Sequence, residues 1–295
     1  MSGVVGPRLS SVIQTEFIML VKTDNAGTSA SDQFTIPTAV ATYNYDVDWG
    51  DGTTDTGLTG TTTHTFAGGA GTYTVKISGT FPRIFFNNGG DRRKILQVQN
   101  WGNIVWSSMA YAFTGCTQMD ITATDIPDLS SCTDMRTMFN ADVSLIGNSS
   151  FSSWDTTAAT DMREIFFNCV SFNQDISSWD VQNVTNMRNM FTGASVFNYN
   201  LGNWNLYLSL TNMASIFSGS GMSTANYTDT IVGWANYVFT NSSPFNVSMT
   251  SQAGRTFDTS RSGGANFANA GAARTYLTTA TPTGAGWTIS GDTVI

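Results

Sequence analysis

Residues 172–191 read FNQDISSWDVQNVTNMRNMF. The second half of this stretch recurs along the chain. SSMAYAFTGC, TDMRTMFNAD, TDMREIFFNC, TNMRNMFTGA and TNMASIFSGS align on Met109, Met135, Met162, Met187 and Met213. Four residues on stand Phe113, Phe139, Phe166, Phe191 and Phe217, and both columns step by 26, 27, 25 and 26 residues. A fixed period of this size marks a repeat architecture, in which one unit cannot bury its apolar face alone and stacks on its neighbours. The first half repeats as well. Trp101, Trp154 and Trp179 lie eight residues before their methionine and Trp204 nine before, while Pro127 takes that place in the second unit and makes it irregular. Val98, Phe151, Ile176 and Leu201 precede the tryptophans by three residues, and Met119, Leu145, Phe172 and Phe197 follow the phenylalanines by six. Each column is chiefly apolar, so each is expected to face inward.

The run before each methionine, such as Asn183-Val184-Thr185-Asn186-Met187, alternates in polarity and predicts a short strand, with a single helical or 3₁₀ turn after it. Adjacent coils would then pair as parallel strands about 4.8 Å apart, and five of them would form a solenoid on the order of 25 Å long.

These residues resemble the BspA-like leucine-rich repeat, the bacterial surface protein 26-residue repeat, over roughly residues 91–220. The resemblance implies a cell-surface or phage protein that binds other macromolecules. Upstream, Tyr43 to Trp49 alternates, Gly50-Asp51-Gly52 turns, and His64-Thr65-Phe66 precedes Gly71 to Ile77. Glu16 to Val21 and Phe34 to Pro37 supply further strands. Alternating strands with Gly/Asp/Thr turns predict a small antiparallel sandwich. As a set, WGDG, HTF and GTYTVKI resemble a PKD-type immunoglobulin-like domain. Downstream, Tyr227–Phe239 and Phe267–Leu277 carry helical apolar spacing, and Gly286-Trp287-Thr288-Ile289 reads as a last strand. A stack of coils ends in a raw apolar face and an unpaired edge, which need a cap. The expected order is therefore an arm at 1–12, a PKD/Ig-like β-sandwich at 13–90, a leucine-rich-repeat-like solenoid of about five coils at 91–220, and an α/β capping region at 221–295. The fold class is mainly β.

The chain has 295 residues, 13 Lys and Arg against 21 Asp and Glu, and a net charge of −8. No basic stripe suits nucleic acid. Arg92-Arg93-Lys94 is the only basic run, and it reads as a domain junction rather than a phosphate site. No stretch has the length of a membrane span, and the amino end lacks the pattern of a signal peptide, so membrane insertion is not expected. Cys116 and Cys169 share one small-residue column two coils apart, beyond disulfide reach, and Cys132 sits in another column; all three are expected to be buried free thiols.

His64 is the one histidine, and it sits on a predicted strand of the sandwich. Asp46, Asp48, Asp51 and Asp55 gather around WGDG, where oxygen ligands could hold calcium but tight turns also favour Asp and Gly. No catalytic, metal or cofactor-binding residue is assigned, and no enzyme activity is expected. The candidate binding strip is a polar ladder. Asp134, Asp161, Asn186 and Asn212 precede the column methionines, and Arg136, Arg163 and Arg188 follow them. Positions i and i+2 of a strand share a face, so these residues would stack on the outer side, with Asp and Arg interleaved between coils.

The reading that follows is a non-enzymatic phage virion surface protein, a capsid or tail decoration, fibre or receptor-binding component. It would hold other virion proteins through its N-terminal region and present the solenoid to a host-surface glycan or protein, with a homo-oligomer left open. The alternative is an exported bacterial cell-surface adhesin, which is extracellular or cell-surface. A third is an accessory carbohydrate-binding module.

Overall fold

The structure is a computed structural model that describes residues 14–295. The arm expected at 1–12 lies outside the described residues. Within them the molecule is mainly β, with short strands, two α-helices, a 3₁₀ turn at Ser149–Ser153 and no closed barrel.

The first strands are β1 (Phe17–Lys22), β2 (Gln33–Ile36), β3 (Asn44–Asp48), β4 (Thr54–Leu58), β5 (Thr62–Thr65), β6 (Thr72–Thr80), β7 (Ile95–Asn100) and β8 (Asp120–Ile121). One six-stranded sheet runs β4-β3-β6-β1-β7-β8, and β2 pairs with β5 in a separate ribbon. The period-2 pattern is visible in β3, where Tyr45 and Val47 are buried and Asn44 and Asp46 are exposed. Phe34 and Ile36 of the ribbon share a core with Met19, Val47, Val75 and Ile77 of the sheet.

This sheet does not stop at the expected border near residue 90. β7 pairs antiparallel with β1, and it pairs in parallel with β8, which lies inside the repeat region. Phe17 of β1 stacks on Trp101 at 5.8 Å and meets Trp106 edge-on at 5.1 Å, so one hydrophobic core continues from the first strands into the repeats. The basic run between them is part of this join. Lys94 is fully buried, and its Nζ donates to Ser29 Oγ at 2.7 Å and to the carbonyls of Ser29, Ala30 and Gln33. Asp91, also buried, accepts from the amides of Thr28, Ser29 and Thr35 and from Ser29 Oγ. A buried charge persists only when paired and hydrogen-bonded in this way.

The repeats stack as coils in the predicted register, but not as strands. The Met and Phe columns are buried throughout. In each coil, four alternate amides donate to the next coil: those of the methionine, the residue two on, the phenylalanine, and the residue two beyond that. From coil 3 to coil 4 the donors are Met162, Glu164, Phe166 and Asn168, and the acceptors are the carbonyls of Asn186, Arg188, Met190 and Thr192, at 2.8–3.0 Å. Only single parallel bridges form along this path, Asp134↔Asp161↔Asn186↔Asn212↔Ser248. The expected strands are thus reduced to one residue each. The cause is local. Tyr111, Thr137, Glu164, Asn189 and Ser215, each two after its methionine, have φ of 54–60°. Gly115, Ala141, Asn168, Gly193 and Gly219, each two after its phenylalanine, have φ of 56–74°. Extended backbone cannot run through residues in the left-handed region.

Side chains tie the coils as well. The column phenylalanines stack at 5.8, 5.9, 5.7 and 5.8 Å with planes 9–15° apart. Trp179 Nε1 donates to the Phe151 carbonyl at 2.7 Å and Trp204 Nε1 to that of Ile176 at 3.1 Å, one coil back in each case. The buried Trp154 indole has no such partner; the coil before it is the irregular one, with Pro127 in the tryptophan place.

Beyond the coils come α1 (Thr224–Asn241), β9 (Ser248–Met249), β10 (Thr256–Phe257), α2 (Ala270–Thr278), β11 (Thr288–Ile289) and β12 (Thr293–Val294). Ser223 caps α1 by accepting from the Asn226 amide, and Asn269 caps α2 by accepting from that of Ala272. Residues 248–253 continue the ladder, taking the amides of Met213, Ser215 and Gly219 on the carbonyls of Ser248, Thr250 and Ala253. The amide of Phe217 goes instead to the side-chain oxygen of the fully buried Gln252, at 3.1 Å. Trp234 of α1 extends the tryptophan column, donating from Nε1 to the Leu201 carbonyl at 2.9 Å. Gly233 and Gly202 let α1 lie backbone to backbone on the last coil, since a Cβ on either would collide with the other's main chain or its neighbours. β11 pairs in parallel with β9, and β12 with β10.

Candidate functional site

The polar ladder is present as a row of side chains one coil apart, but its pairing differs from expectation. Each Asp or Asn closes its own turn. Oδ1 of Asp134, Asp161, Asn186 and Asn212 accepts the backbone amide two residues on, at 3.0–3.2 Å. That is the local Asx geometry of these side chains, and it explains why the column holds Asp and Asn, with Ser108 of the first coil accepting the Ala110 amide in the same way at 3.2 Å. The ion pairs lie within coils rather than between them. Arg136 Nε is 3.4 Å from Asp134 Oδ2, and Arg163 Nη2 is 3.1 Å from Asp161 Oδ2. A two-residue offset across an Asx turn brings each guanidinium back over its own carboxylate, so interleaving is not needed. Arg136 also reaches the previous coil, with its guanidinium 5.4 Å from the Tyr111 ring. Arg188 is exposed, and its column partner is the uncharged Asn186. Burial pushes the Asp161 carboxyl up against the pull of Arg163. Along the strip, among the described residues, positive charge is therefore neutralised at Arg136 and Arg163 and free at Arg188.

Glu164, beside this strip, carries a coil-to-coil link that sequence reasoning missed. Its carboxylate accepts from Asn140 Nδ2 at 3.3 Å and Asn189 Nδ2 at 3.1 Å, joining three successive coils.

The aspartates around WGDG each have a protein partner. Asp46 accepts from the Gly57 amide, Asp48 pairs with Lys76 Nζ at 2.9 Å, and Asp55 accepts from Trp49 Nε1. Asp51 takes the amide and hydroxyl of Thr53 and pairs with His64 Nε2 at 2.9 Å. The His64 ring stacks on Trp49 at 4.6 Å. Burial pushes the Asp51 carboxyl up, but the Thr53 hydroxyl, His64 and the Thr53 amide outweigh it and hold the group at about 2. Among the described residues no group of three or more His, Cys, Asp or Glu side chains is arranged to hold a metal ion.

Cys116, Cys132 and Cys169 are buried and unpaired. Burial pushes the Cys132 thiol up to about 12 and the other two well above the usual range, so all three stay protonated and unreactive. The coil between Cys116 and Cys169 puts Asp142 in the same column, fully buried, with neither carboxyl oxygen partnered. Burial pushes this carboxyl well above its ordinary value; the Ser144 and Leu145 amides, near it but outside hydrogen-bond geometry, oppose the shift, and Asp120 adds to it. Three residues after Phe139 is where the repeat places it, so the signal was in the sequence.

Three adjoining cavities lie beside the tryptophan column. One of about 490 Å³ lies among Asp180, Gln182, Asn183, Tyr207, Leu208 and Tyr237. A second, of about 420 Å³, shares Asp180 and Gln182, and a third, of about 540 Å³, shares Asn203 with the second. None of their residues stands in the expected strip. The Trp-Asp pairs at 154–155 and 179–180 repeat in the sequence and could have drawn attention to this edge.

Among the described residues no helix is long and apolar enough to cross a membrane. Neither a curated protein nor a solved structure matches the chain. Residues 107–234, which span the five Met–Phe motifs and enter α1, match the model of a family described as Mycoplasma protein of unknown function, DUF285.

Proposed function

We propose that the chain is a non-enzymatic surface-attachment protein of a phage virion, whose first strands form a PKD-type module and whose coils form a BspA-like solenoid that carries the binding surface. The observation behind this reading is the coil ladder. It fixes one polar side-chain pair in each of the three middle coils at a constant step, and so builds a regular face on a rigid core. The one histidine stands on β5 and is occupied by Asp51 and Trp49. In this reading the N-terminal region contacts other virion proteins, and the solenoid faces a host-surface glycan or protein. The family description over residues 107–234 names a cellular source. It favours, as the second reading, an exported bacterial adhesin displayed at the cell surface.

Antibody labelling of intact phage particles and of whole bacteria tests both readings. Label on capsid or tail supports the first, label on the cell envelope the second, and label on neither refutes both. In the attachment assay, Arg163→Glu and the triple charge reversal at Arg136, Arg163 and Arg188 test the strip. Exposed ion pairs contribute at most about 1 kcal/mol, so folding should survive. Unchanged attachment by the folded triple variant refutes the strip and leaves the ladder as reinforcement of the coils.

A further inference from the structure

The cleft beside the tryptophan column has the chemistry of a different contact. Its lining is dominated by amides and hydroxyls: Gln182 and Asn183 in the first cavity, Ser177, Asn203 and Asn205 in the second, Asn200 and Asn236 in the third. Charge is nearly balanced. Asp229 and Arg261 in the third cavity neutralise each other through a two-pronged pair at 2.9 and 2.8 Å, which leaves Asp180 as the carboxylate facing the first two. At the first cavity this polar lining meets two half-buried tyrosines, Tyr207 and Tyr237, and the exposed Leu208.

The lining is held in place. Asp180 Oδ1 accepts the Gln182 amide at 2.8 Å. Asn183 Nδ2 donates to the Thr157 carbonyl of the previous coil at 2.7 Å, which fixes the side chain. Tyr237 stands on α1, which is packed on the last coil through Gly233 and Gly202. A groove set by coil-to-coil hydrogen bonds and a helix avoids much of the ordering cost of binding.

An uncharged ligand rich in hydroxyl groups, with flat C–H faces, satisfies such a lining. The faces lie on tyrosine rings, and vicinal hydroxyls bridge a carboxylate and an amide. A polyanion would be repelled by Asp180 and by the net charge of −8. We propose that this cleft binds a neutral oligosaccharide, with Tyr207 and Tyr237 as stacking faces and Asp180 and Asn183 as hydrogen-bonding anchors. The proposal deepens the attachment reading above, and it locates the contact away from the arginine strip.

The test is affinity electrophoresis of the full chain through gels containing dextran, mannan, laminarin or xylan. At least one polymer should retard the wild type. Tyr207→Ala, Tyr237→Ala and Asp180→Ala should each weaken the apparent affinity by about tenfold, the scale of losing a ring contact or a charged anchor. Gln182→Ala, at an exposed position, provides a variant in which folding is not at stake and should weaken binding as well. The arginine triple variant should bind as the wild type does. Two results overturn the proposal: no polymer retards the wild type, or retardation survives at Tyr207→Ala and Asp180→Ala. Retardation lost only in the arginine triple variant moves the contact to the strip. Attachment to particles or cells by a chain that binds none of the polymers refutes the cleft assignment while leaving the attachment function intact.

Discussion

Asp142 should make the protein less stable as pH rises through the neutral range, and replacing it should remove that loss. The carboxyl lies in the coil stack between Cys116 and Cys169, with both oxygens buried and unpartnered. Its folded pKa is raised well above the ordinary value of 3.8 by burial. The unfolded chain therefore releases the proton near 3.8 while the folded chain keeps it. Over that window the folded state binds more protons, so stability falls with pH, by up to about 1.4 kcal/mol per pH unit. The contribution is intact below the unfolded value and is lost progressively above it, until the folded pKa is reached. Asp142→Asn keeps the shape and abolishes the titration. Asp142→Ala copies Ala194 of the same column and also removes the unpartnered oxygens, which should stabilise the protein by about 1–3 kcal/mol at pH 7. Urea unfolding at half-unit steps from pH 5 to 8 measures both effects. The gap between Asp142→Asn and the wild type should widen with pH. Parallel curves would refute the reasoning, since they would mean that the carboxylate is ionised and partnered in the folded state.

Phe191→Ala deletes a ring stacked between Phe166 and Phe217 and against Phe197, and should cost about 3–5 kcal/mol in denaturant unfolding. Ala141 has φ of 60° in a column otherwise held by Gly115, Asn168, Gly193 and Gly219, so Ala141→Gly should raise the thermal midpoint, with a gain of about 0.5–1 kcal/mol once the looser unfolded chain is counted. Asp51, held at about 2, lends stability that is complete above the unfolded value of 3.8 and lost as pH falls through about 2; an Asp51→Asn variant should show a flatter acid-unfolding profile than the wild type in that window. Thiol titration of the denatured, non-reduced chain should find three free groups, and a count of one would refute the column assignment of the cysteines.

The inward columns were legible because burial leaves a periodic record. Met, Phe and Trp recur wherever a coil turns toward the core, and all of those positions are buried. The backbone between them was not legible as strand or turn. Asn183 to Met187 alternates as a strand does, yet Asn189 two residues later is left-handed and ends it. Residues as different as Tyr111, Thr137 and Glu164 occupy that conformation, so residue type alone did not signal it. The continuation of the ladder at 248–253 was hidden for a related reason. The Phe column is gone there, and Gln252 supplies with a side chain what earlier coils supply with a carbonyl. At the strip, the Asp/Asn preference was readable, but its cause is the turn it closes rather than a partner in the next coil. Of the cleft, the sequence held no more than the repeated Trp-Asp pair, because the rest gathers residues 177–183, 203–208 and Tyr237 from separate coils and a helix.

From the methionine onward the ladder has a direction: its alternate amides point toward the carboxyl-terminal side, whereas the amides of Thr160, Thr185 and Thr211, ahead of it, donate to the preceding coil. An open ladder of this kind is a template for filaments, because each copy's donor end fits the next copy's acceptor end. Here both ends are plugged. The amides of Phe86, Asn87 and Asn88 cover the carbonyls of Ala112, Tyr111 and Thr114 on the first coil. At the far end, Ser248, Thr250 and Ala253 take the last donors, and β9 is paired in turn with β11. Among the described residues, these bonds oppose head-to-tail addition of a second copy onto the coil ladder at either end.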